Sequence, residues 1–154
     1  LWHSGGRQVI GELPEGFVCR HYRSDRLELV THRSHPLATA HSVRLEDILQ
    51  HDLISLGEGT AVDGLLARLA TGSGMRLRCS VRARSFDTML AMVRAELGIG
   101  IVPHSIAHWL ASDPAFCRIA IDESWAEREF VLCHKPAPDI SSTTLTVADF
   151  LAQS

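Results

Sequence analysis

The sequence lacks the features that define several large classes of protein. No apolar run approaches the roughly 20 residues of a membrane-spanning helix, and the opening LWHSGGRQVI has neither the charged start nor the apolar stretch of a secretion signal. The net charge of −3 provides no strong positive field for binding nucleic acid. No repeat, low-complexity tract or long linker separates parts of the chain. We therefore expect a cytoplasmic globular protein without membrane contact, large enough for one domain or two small lobes.

Cysteine and histidine are present, but their spacing defines no site. The cysteines are Cys19, Cys79, Cys117 and Cys133, and none forms a C-x-x-C pair. Three of them fall in apolar, strand-like runs, which predicts buried free thiols in a reducing compartment. His104 and His108 lie four residues apart on a predicted helix and could bind a metal ion. Because no H-E-x-x-H motif and no obvious third ligand accompany them, we expect neither a metal nor a cofactor.

The middle of the chain alternates between strand-like and helix-like patterns. Residues 52–56 are a short apolar run, residues 75–85 alternate apolar and polar side chains, and residues 99–102 are again apolar. Between them, residues 60–71 and 86–97 place apolar side chains on one helical face. Strands joined by single helices predict parallel pairing in an α/β sheet. Ligands of such sheets bind at the carboxyl ends of the strands.

The two flanks of the chain predict a second lobe. Strand-like runs at residues 26–33 and 116–121 are expected to cross between the lobes, and a last helix follows residue 141. We assign residues 34–112, approximately, to one lobe. Residues 1–33 and 113–154 are then remnants of the other.

The stretch RAELGIGIVP contains two closely spaced glycines that are not a phosphate loop. A dinucleotide-binding fingerprint follows a strand and opens a helix, whereas these glycines follow a helix and begin a strand. Gly98 is predicted to supply the left-handed residue at the helix end, and Gly100 to let the strand pack closely. Pro103 would end the strand at the sheet edge where ligands are expected to bind.

Two predicted helix starts are candidate anion sites. Gly57, Gly59 and Thr60 precede the first helix, where free N–H groups, a hydroxyl and the helix dipole favour a carboxylate. Ser85 and the residues after it offer a second start on the same edge. Both could instead be ordinary N-caps, and Glu58 would repel an anion unless it points away. Four arginines share one face of the 75–85 strand, and the simpler interpretation is a solvated sheet face. Arg84 is nearest the carboxyl end of the strand and is the one most suited to meet an acidic ligand.

Three segments in this order resemble the effector-binding domain of LysR-type transcriptional regulators: LELVTHRSHPLA, RLEDILQHDLISL and SFDTMLAMVRAELGIGIVP. The resemblance implies an α/β, periplasmic-binding-protein-like (type II) fold of two lobes with crossover strands. It also implies a small organic effector (an organic acid, an amino acid or an aromatic metabolite) in the cleft between the lobes. It implies self-association through lobe helices, here including residues 60–71, and DNA binding through a separate winged helix-turn-helix. The effector-binding residues expected on this basis are Gly57, Gly59, Thr60, Ser85, Phe86, Asp87, Thr88 and Pro103.

The sequence departs from that family in three respects. It has no helix-turn-helix, its first lobe looks incomplete at the start, and Glu96 stands where the family usually has glycine. Two other functions remain open on this architecture: an exported solute-binding protein and an enzyme. Asp87, Glu58, His104 and Ser85 are the acid, base and nucleophile candidates, and they form no recognisable pair. We therefore expect no catalytic residue and no enzyme activity.

Overall fold

The computed structural model describes residues 15–57, 60–136 and 138–152. The strands are β1 (Val18–His32), β2 (Ser42–Val43), β3 (Leu53–Ser55), β4 (Cys79–Arg82), β5 (Ile99–Pro103), β6 (Phe116–Ile121) and β7 (Glu127–His134). The α-helices are α1 (Leu45–Leu49), α2 (Ala61–Gly72), α3 (Phe86–Arg94), α4 (His104–Trp109) and α5 (Ser142–Ala152). Short 3-10 turns occupy Pro36–Thr39, Leu110–Ser112 and Ser124–Ala126.

The chain forms two compact units. The core unit is Arg26–Ala126, and the flanking unit combines the residues up to Asp25 with those from Glu127 onward. The core unit thus extends beyond residues 34–112 at both ends. β6 pairs with β1 inside the core unit, and the assignment of lobes and crossover strands stays a prediction. The chain passes between the units within β1 and at the start of β7.

The sheet of the core unit has the strand order β2-β6-β1-β5-β3-β4. β3 is parallel to both β4 and β5, as the alternation of strands and helices predicted. β1 runs antiparallel to β5 and to β6. The predicted α/β architecture is therefore confirmed, and the sheet is mixed, with β1 at its centre.

Helices α2 and α3 begin where the sequence predicted. Thr60 and Ser85 are their N-caps, and each side-chain oxygen accepts a backbone N–H from three residues further along. The apolar stripe of α2 buries Leu65 and Leu66. These caps fix the two helix starts just beyond the ends of β3 and β4.

The alternating segment at residues 75–85 is less regular than predicted. Only Cys79–Arg82 forms a strand, and Ala83 alone of the predicted apolar face is buried. β4 ends the strand order, and its neighbour β3 has only three residues. Because β3 is short, it pairs with only a few residues of the 75–85 segment. The alternating pattern therefore continues beyond the ends of β4.

The end of α3 and the start of β5 explain the glycine-rich stretch. Glu96 is left-handed, with φ of 61°, and Leu97 N donates to Met92 O at 3.1 Å across the helix end. The left-handed residue is therefore Glu96 and not Gly98, which corrects the prediction. Glycine is the usual residue for this conformation, which gives a physical reason for the glycine expected at position 96.

Gly98 and Gly100 are required for close packing. A Cβ on Gly98 would lie 2.4 Å from the Asp52 carbonyl oxygen. A Cβ on Gly100 would lie 3.0 Å from Met89 Sδ, so the predicted close approach of strand and helix at this glycine is confirmed.

The cysteines contradict the prediction of buried free thiols. Cys19 on β1 and Cys133 on β7 form a disulfide, Cys79 is exposed and Cys117 is half-buried. The bonded pair is 114 residues apart in sequence. It meets because β7 pairs with β1, a long-range pairing that local patterns do not encode.

Apolar burial is concentrated in the core unit. Among the described residues, every buried apolar side chain except that of Ala148 belongs to Arg26–Ala126. One cluster of the core joins Val30, Ile54, Met89, Val93 and Val102 beneath α3. No helix within the described ranges is long and apolar enough to span a membrane.

Candidate functional site

Three parallel strands end at the same edge of the core unit, which we call the ligand edge. Ile54 pairs with Gly100 of β5 and with Val81 of β4, so the three strands are in register. Beyond the strand ends, Ala83 N donates to Ser55 O at 2.8 Å. The ligand edge therefore comprises the segments that follow Ser55, Arg82 and Val102.

The first segment of the ligand edge leads into α2. Gly57 is left-handed, with φ of 100°, and Thr60 Oγ1 accepts Asp63 N at 3.2 Å. The buried hydroxyl of Ser55 donates to the Asp63 carboxylate. That contact holds the acidic group of the first turn against the end of β3. Gly59 and Glu58 lie outside the described residues.

The second segment leads into α3. Ser85 Oγ accepts Thr88 N at 3.2 Å and lies 3.0 Å from Thr88 Oγ1. Ser85, Asp87 and Thr88 are exposed at the helix start. Phe86 is half-buried and packs against the apolar cluster beneath α3. Three of these four residues therefore present polar groups to solvent at the ligand edge, whereas Phe86 anchors the helix.

The third segment carries a charged cluster that sequence reasoning missed. Pro103 ends β5, and His104 Nδ1 lies 2.5 Å from Oε1 of Glu28 on β1. Glu28 Oε2 lies 3.7 Å from Arg118 Nε. The Glu28 side chain is 11% exposed and that of His104 54%. A buried carboxylate thus orients an accessible imidazole directly after the end of β5.

A weak sequence signal for this cluster exists. Glu28 interrupts the apolar run LELV, and an ionisable residue in a central strand needs partners when it is buried. Its partner His104 is 76 positions away. Only the pairing of β1 with β5 brings the two together.

The arginines of the alternating segment are not equivalent. Arg78 Nη2 lies 3.1 Å from Asp52 Oδ1, and Arg78 Nη1 donates to Gln50 O at 3.3 Å. Arg78 therefore links β4 to the start of β3, away from the ligand edge. Arg84 is exposed and stands beside Ser85 at that edge.

Four of the described histidines form two close ring pairs. The rings of His104 and His108 are 6.0 Å apart between centroids, and those of His35 and His51 are 4.6 Å apart. Within the described part of the chain, no three histidine, cysteine or acidic side chains are grouped as metal ligands. Burial, and secondarily the neighbouring His51, lowers the pKa of His35.

The fold and the ligand edge place the chain among α/β ligand-binding domains. The family model for the LysR substrate binding domain matches residues 5–154. The chain belongs to this family, whose domains have the periplasmic-binding-protein-like type II fold. The family resemblance seen in the sequence is thereby confirmed.

Individual relatives agree with that membership. A probable RuBisCO transcriptional regulator of Cyanophora paradoxa is 26% identical over 116 residues, which are 68% of this chain and 36% of the relative. The effector-binding domain of QuiR in complex with shikimate has a TM-score of 0.75 at 20% identity, covering 94% of this chain and 68% of that one. The regulatory domain of Synechocystis PCC6803 CcmR in complex with 2-PG has a TM-score of 0.75 at 19% identity, covering 92% and 69%. The chain thus spans about a third of the length of the curated relative.

Proposed function

We propose that this chain is the sensing domain of a LysR-type transcriptional regulator and that a small organic effector binds at the ligand edge. The bound effector controls the arrangement of protomers and thereby DNA binding by a winged helix-turn-helix outside these 154 residues. The observation that carries the proposal is the convergence of two hydroxyl-capped helix starts and an oriented imidazole on one edge of a sheet of this family.

The chemistry of the ligand edge favours an organic acid among the possible effectors. The starts of α2 and α3 provide backbone N–H groups and the positive ends of two helix dipoles. Thr60 Oγ1 accepts the capping bond, which leaves its O–H available as a donor. Arg84 adds a cation at the same edge. Together these groups match a carboxylate better than a cationic ligand.

His104 adds a second point of recognition. Because Glu28 engages Nδ1, the ring presents Nε2 away from the buried carboxylate. Nε2 accepts a hydrogen bond from a ligand hydroxyl, or donates to a carboxylate in the imidazolium form. A hydroxylated organic acid would satisfy both His104 and the helix starts.

The proposed effector contacts are Gly57, Gly59, Thr60, Ser85, Phe86, Asp87, Thr88 and Pro103, with His104 added. We assign residues 34–112, approximately, to one lobe and residues 1–33 and 113–154 to the other. The regulator acts in the cytoplasm, and its protomers associate through lobe helices that include α2. It is not an enzyme.

Calorimetric titration tests the effector site. Shikimate, 2-PG and further small carboxylic acids are titrated into the regulator that contains this domain, each beside its carboxamide. We expect a carboxylic acid to bind and its carboxamide to bind more weakly. Binding of neutral or cationic compounds in preference to acids would refute the acid class.

Substitution of Thr60 locates the site. Thr60→Ala should weaken binding of that acid by about 0.5–2 kcal/mol through the loss of one hydrogen bond. Thr71→Ala is the matched control, because its hydroxyl bonds to Ala67 O at the opposite end of α2. Equal affinities for the two variants would exclude the start of α2 as part of the site.

A further inference from the structure

The disulfide joins the two strands through which the chain connects its units. Cys19 lies on β1 shortly before the passage into the core unit at Asp25, and Cys133 lies on β7 shortly after the return at Glu127. The Cα atoms of the two cysteines are 4.2 Å apart. The covalent loop that they close contains the whole core unit.

The described part of the flanking unit has little apolar burial to replace this bond. Ala148 is its one buried apolar residue among those described. Large apolar side chains are instead exposed on it, including Phe17, Val18 and Val147. A segment that buries so little apolar surface depends on covalent and polar contacts for its local stability.

The polar contacts of the flanking unit are weaker than a covalent bond. Arg20 pairs with Asp149 of α5, but both side chains are nearly half-exposed. Pairs of this kind contribute little to stability in water. Arg128 pairs with Asp25 in a more buried setting. Beside these polar contacts, the Cys19–Cys133 disulfide is a covalent link between β1 and β7.

Cys19 and Cys133 are both half-buried, so neither is fully enclosed in a hydrophobic core. Thiol–disulfide exchange requires access of an attacking thiolate to one sulfur atom. Partial exposure therefore makes the bond accessible to a small dithiol.

We propose that Cys19 and Cys133 are a reversible redox modification site that sets the local stability of the flanking unit. The closed form ties β1 to β7 beside both connections between the units. The open form releases the two strand segments without altering the ligand edge of the core unit.

The reaction is a two-electron exchange with a dithiol reductant. A thiolate of the reductant attacks Sγ of one cysteine, the Cys19–Cys133 bond breaks, and the other cysteine leaves as a thiolate that takes up a proton. The second thiol of the reductant then attacks the mixed disulfide and releases the remaining cysteine as a thiol. The protein gains two electrons and two protons, and the reductant becomes a disulfide. A small-molecule disulfide oxidant reverses both steps.

Thiol labelling tests the bond and its reversibility. The air-oxidised chain is denatured in a maleimide reagent without reductant, and we expect label on Cys79 and Cys117 only. After dithiothreitol treatment of the folded protein, all four cysteines should be labelled. Label on Cys19 and Cys133 before reduction, or a bond that persists in the folded protein in excess dithiothreitol, would overturn the proposal.

Hydrogen exchange tests the local consequence. On reduction, exchange in residues 18–25 and 127–134 should accelerate by about tenfold or more, whereas exchange in Ile99–Pro103 should not change. The melting temperature should fall by roughly 5–15 °C, as expected for opening a loop of this length. Unchanged exchange in both strand segments would overturn the proposal.

Matched variants separate this site from the other cysteines. The double variant Cys19→Ser/Cys133→Ser should behave as the reduced protein in both redox states. Cys79→Ser/Cys117→Ser should keep the full response to dithiothreitol, and loss of the response in this control would contradict the assignment. Reduction of the unmodified protein gives the same test if the first variant does not fold. Effector binding at the ligand edge is measured separately, so failure of one proposal leaves the other standing.

Discussion

The core unit and the flanking unit are stabilised in different ways. The core unit buries apolar side chains on both sides of a sheet whose central strand is β1. The flanking unit, as far as the structure describes it, buries Ala148 and is held by a disulfide and ion pairs. One strand, β1, takes part in both.

This difference predicts effector recognition in the core unit and redox control of stability in the flanking unit. Burial of apolar surface does not depend on solution redox conditions, so we expect the ligand edge to keep its geometry whether the thiols are oxidised or reduced. A covalent link between cysteines does respond to those conditions. The residues proposed to bind the effector thus lie in the region with the denser core.

Truncation of one apolar side chain in each unit gives the largest expected contrast. Leu29 is fully buried on β1, and Val147 is 51% exposed on α5. Leu29→Ala should lower the free energy of unfolding by about 2–5 kcal/mol, whereas Val147→Ala should change it by about 0.5 kcal/mol or less. Urea unfolding measures both. Equal losses would show that the flanking unit has a core comparable to that of the core unit.

Alanine in place of one glycine in each unit gives the next contrast. Gly98→Ala should cost about 3 kcal/mol, because the new Cβ would collide with the Asp52 carbonyl oxygen. Gly16, with φ of 76°, has nothing within 4 Å of such a Cβ. Gly16→Ala should therefore cost about 1 kcal/mol from backbone strain alone. If Gly98→Ala were the milder change by thermal unfolding, the close approach of β5 to Asp52 would be wrong.

Glu96 allows a smaller and finer test within the core unit. Its backbone is left-handed, and its Oε2 accepts the hydroxyl of Ser34 at 2.7 Å. Glu96→Ala keeps the strain and loses the hydrogen bond, whereas Glu96→Gly loses both. The glycine variant should therefore be the more stable of the two by about 1 kcal/mol. Ser34→Ala measures the hydrogen bond alone, and identical stability of the Ala and Gly variants would argue against left-handed strain.

The smallest expected effect is a pH dependence from His35. Burial and His51 lower its pKa from 6.5 in the folded chain, so the unfolded chain binds more protons below that pH. Stability is complete above about pH 6.5 and falls as the pH drops toward the lowered folded pKa. His35 Nδ1 also accepts Leu37 N at 3.2 Å, which a protonated nitrogen cannot do.

His35→Asn tests this dependence. Asparagine retains a capping acceptor but does not titrate. The variant should therefore lose less stability than the parent between pH 7.5 and pH 5.5, approximately, in thermal unfolding experiments. A parallel decline in both proteins would assign the pH dependence to other groups.

Much of the ligand edge was predictable from local sequence. Thr60 and Ser85 each precede an apolar stripe of helical period, and N-capping is a contact over three residues. The order of strands and helices follows from the same periodicities. The sequence did not reveal which residue of AELGIG is left-handed, because Gly98 is the better intrinsic candidate and packing against Asp52 decides its role instead.

The sequence by itself determined the alternation of strands and helices, the helix caps and the membership of the LysR substrate-binding family. Each of these depends on residues within a few positions of one another, or on an ordered set of short segments. The tertiary structure decided the Glu28–His104–Arg118 cluster and the Cys19–Cys133 bond. Their members lie on distant parts of the chain and meet only when β1 pairs with β5, β6 and β7. Strand pairing depends on burial across the whole sheet and joins residues that are far apart in sequence. No short sequence window therefore encodes it.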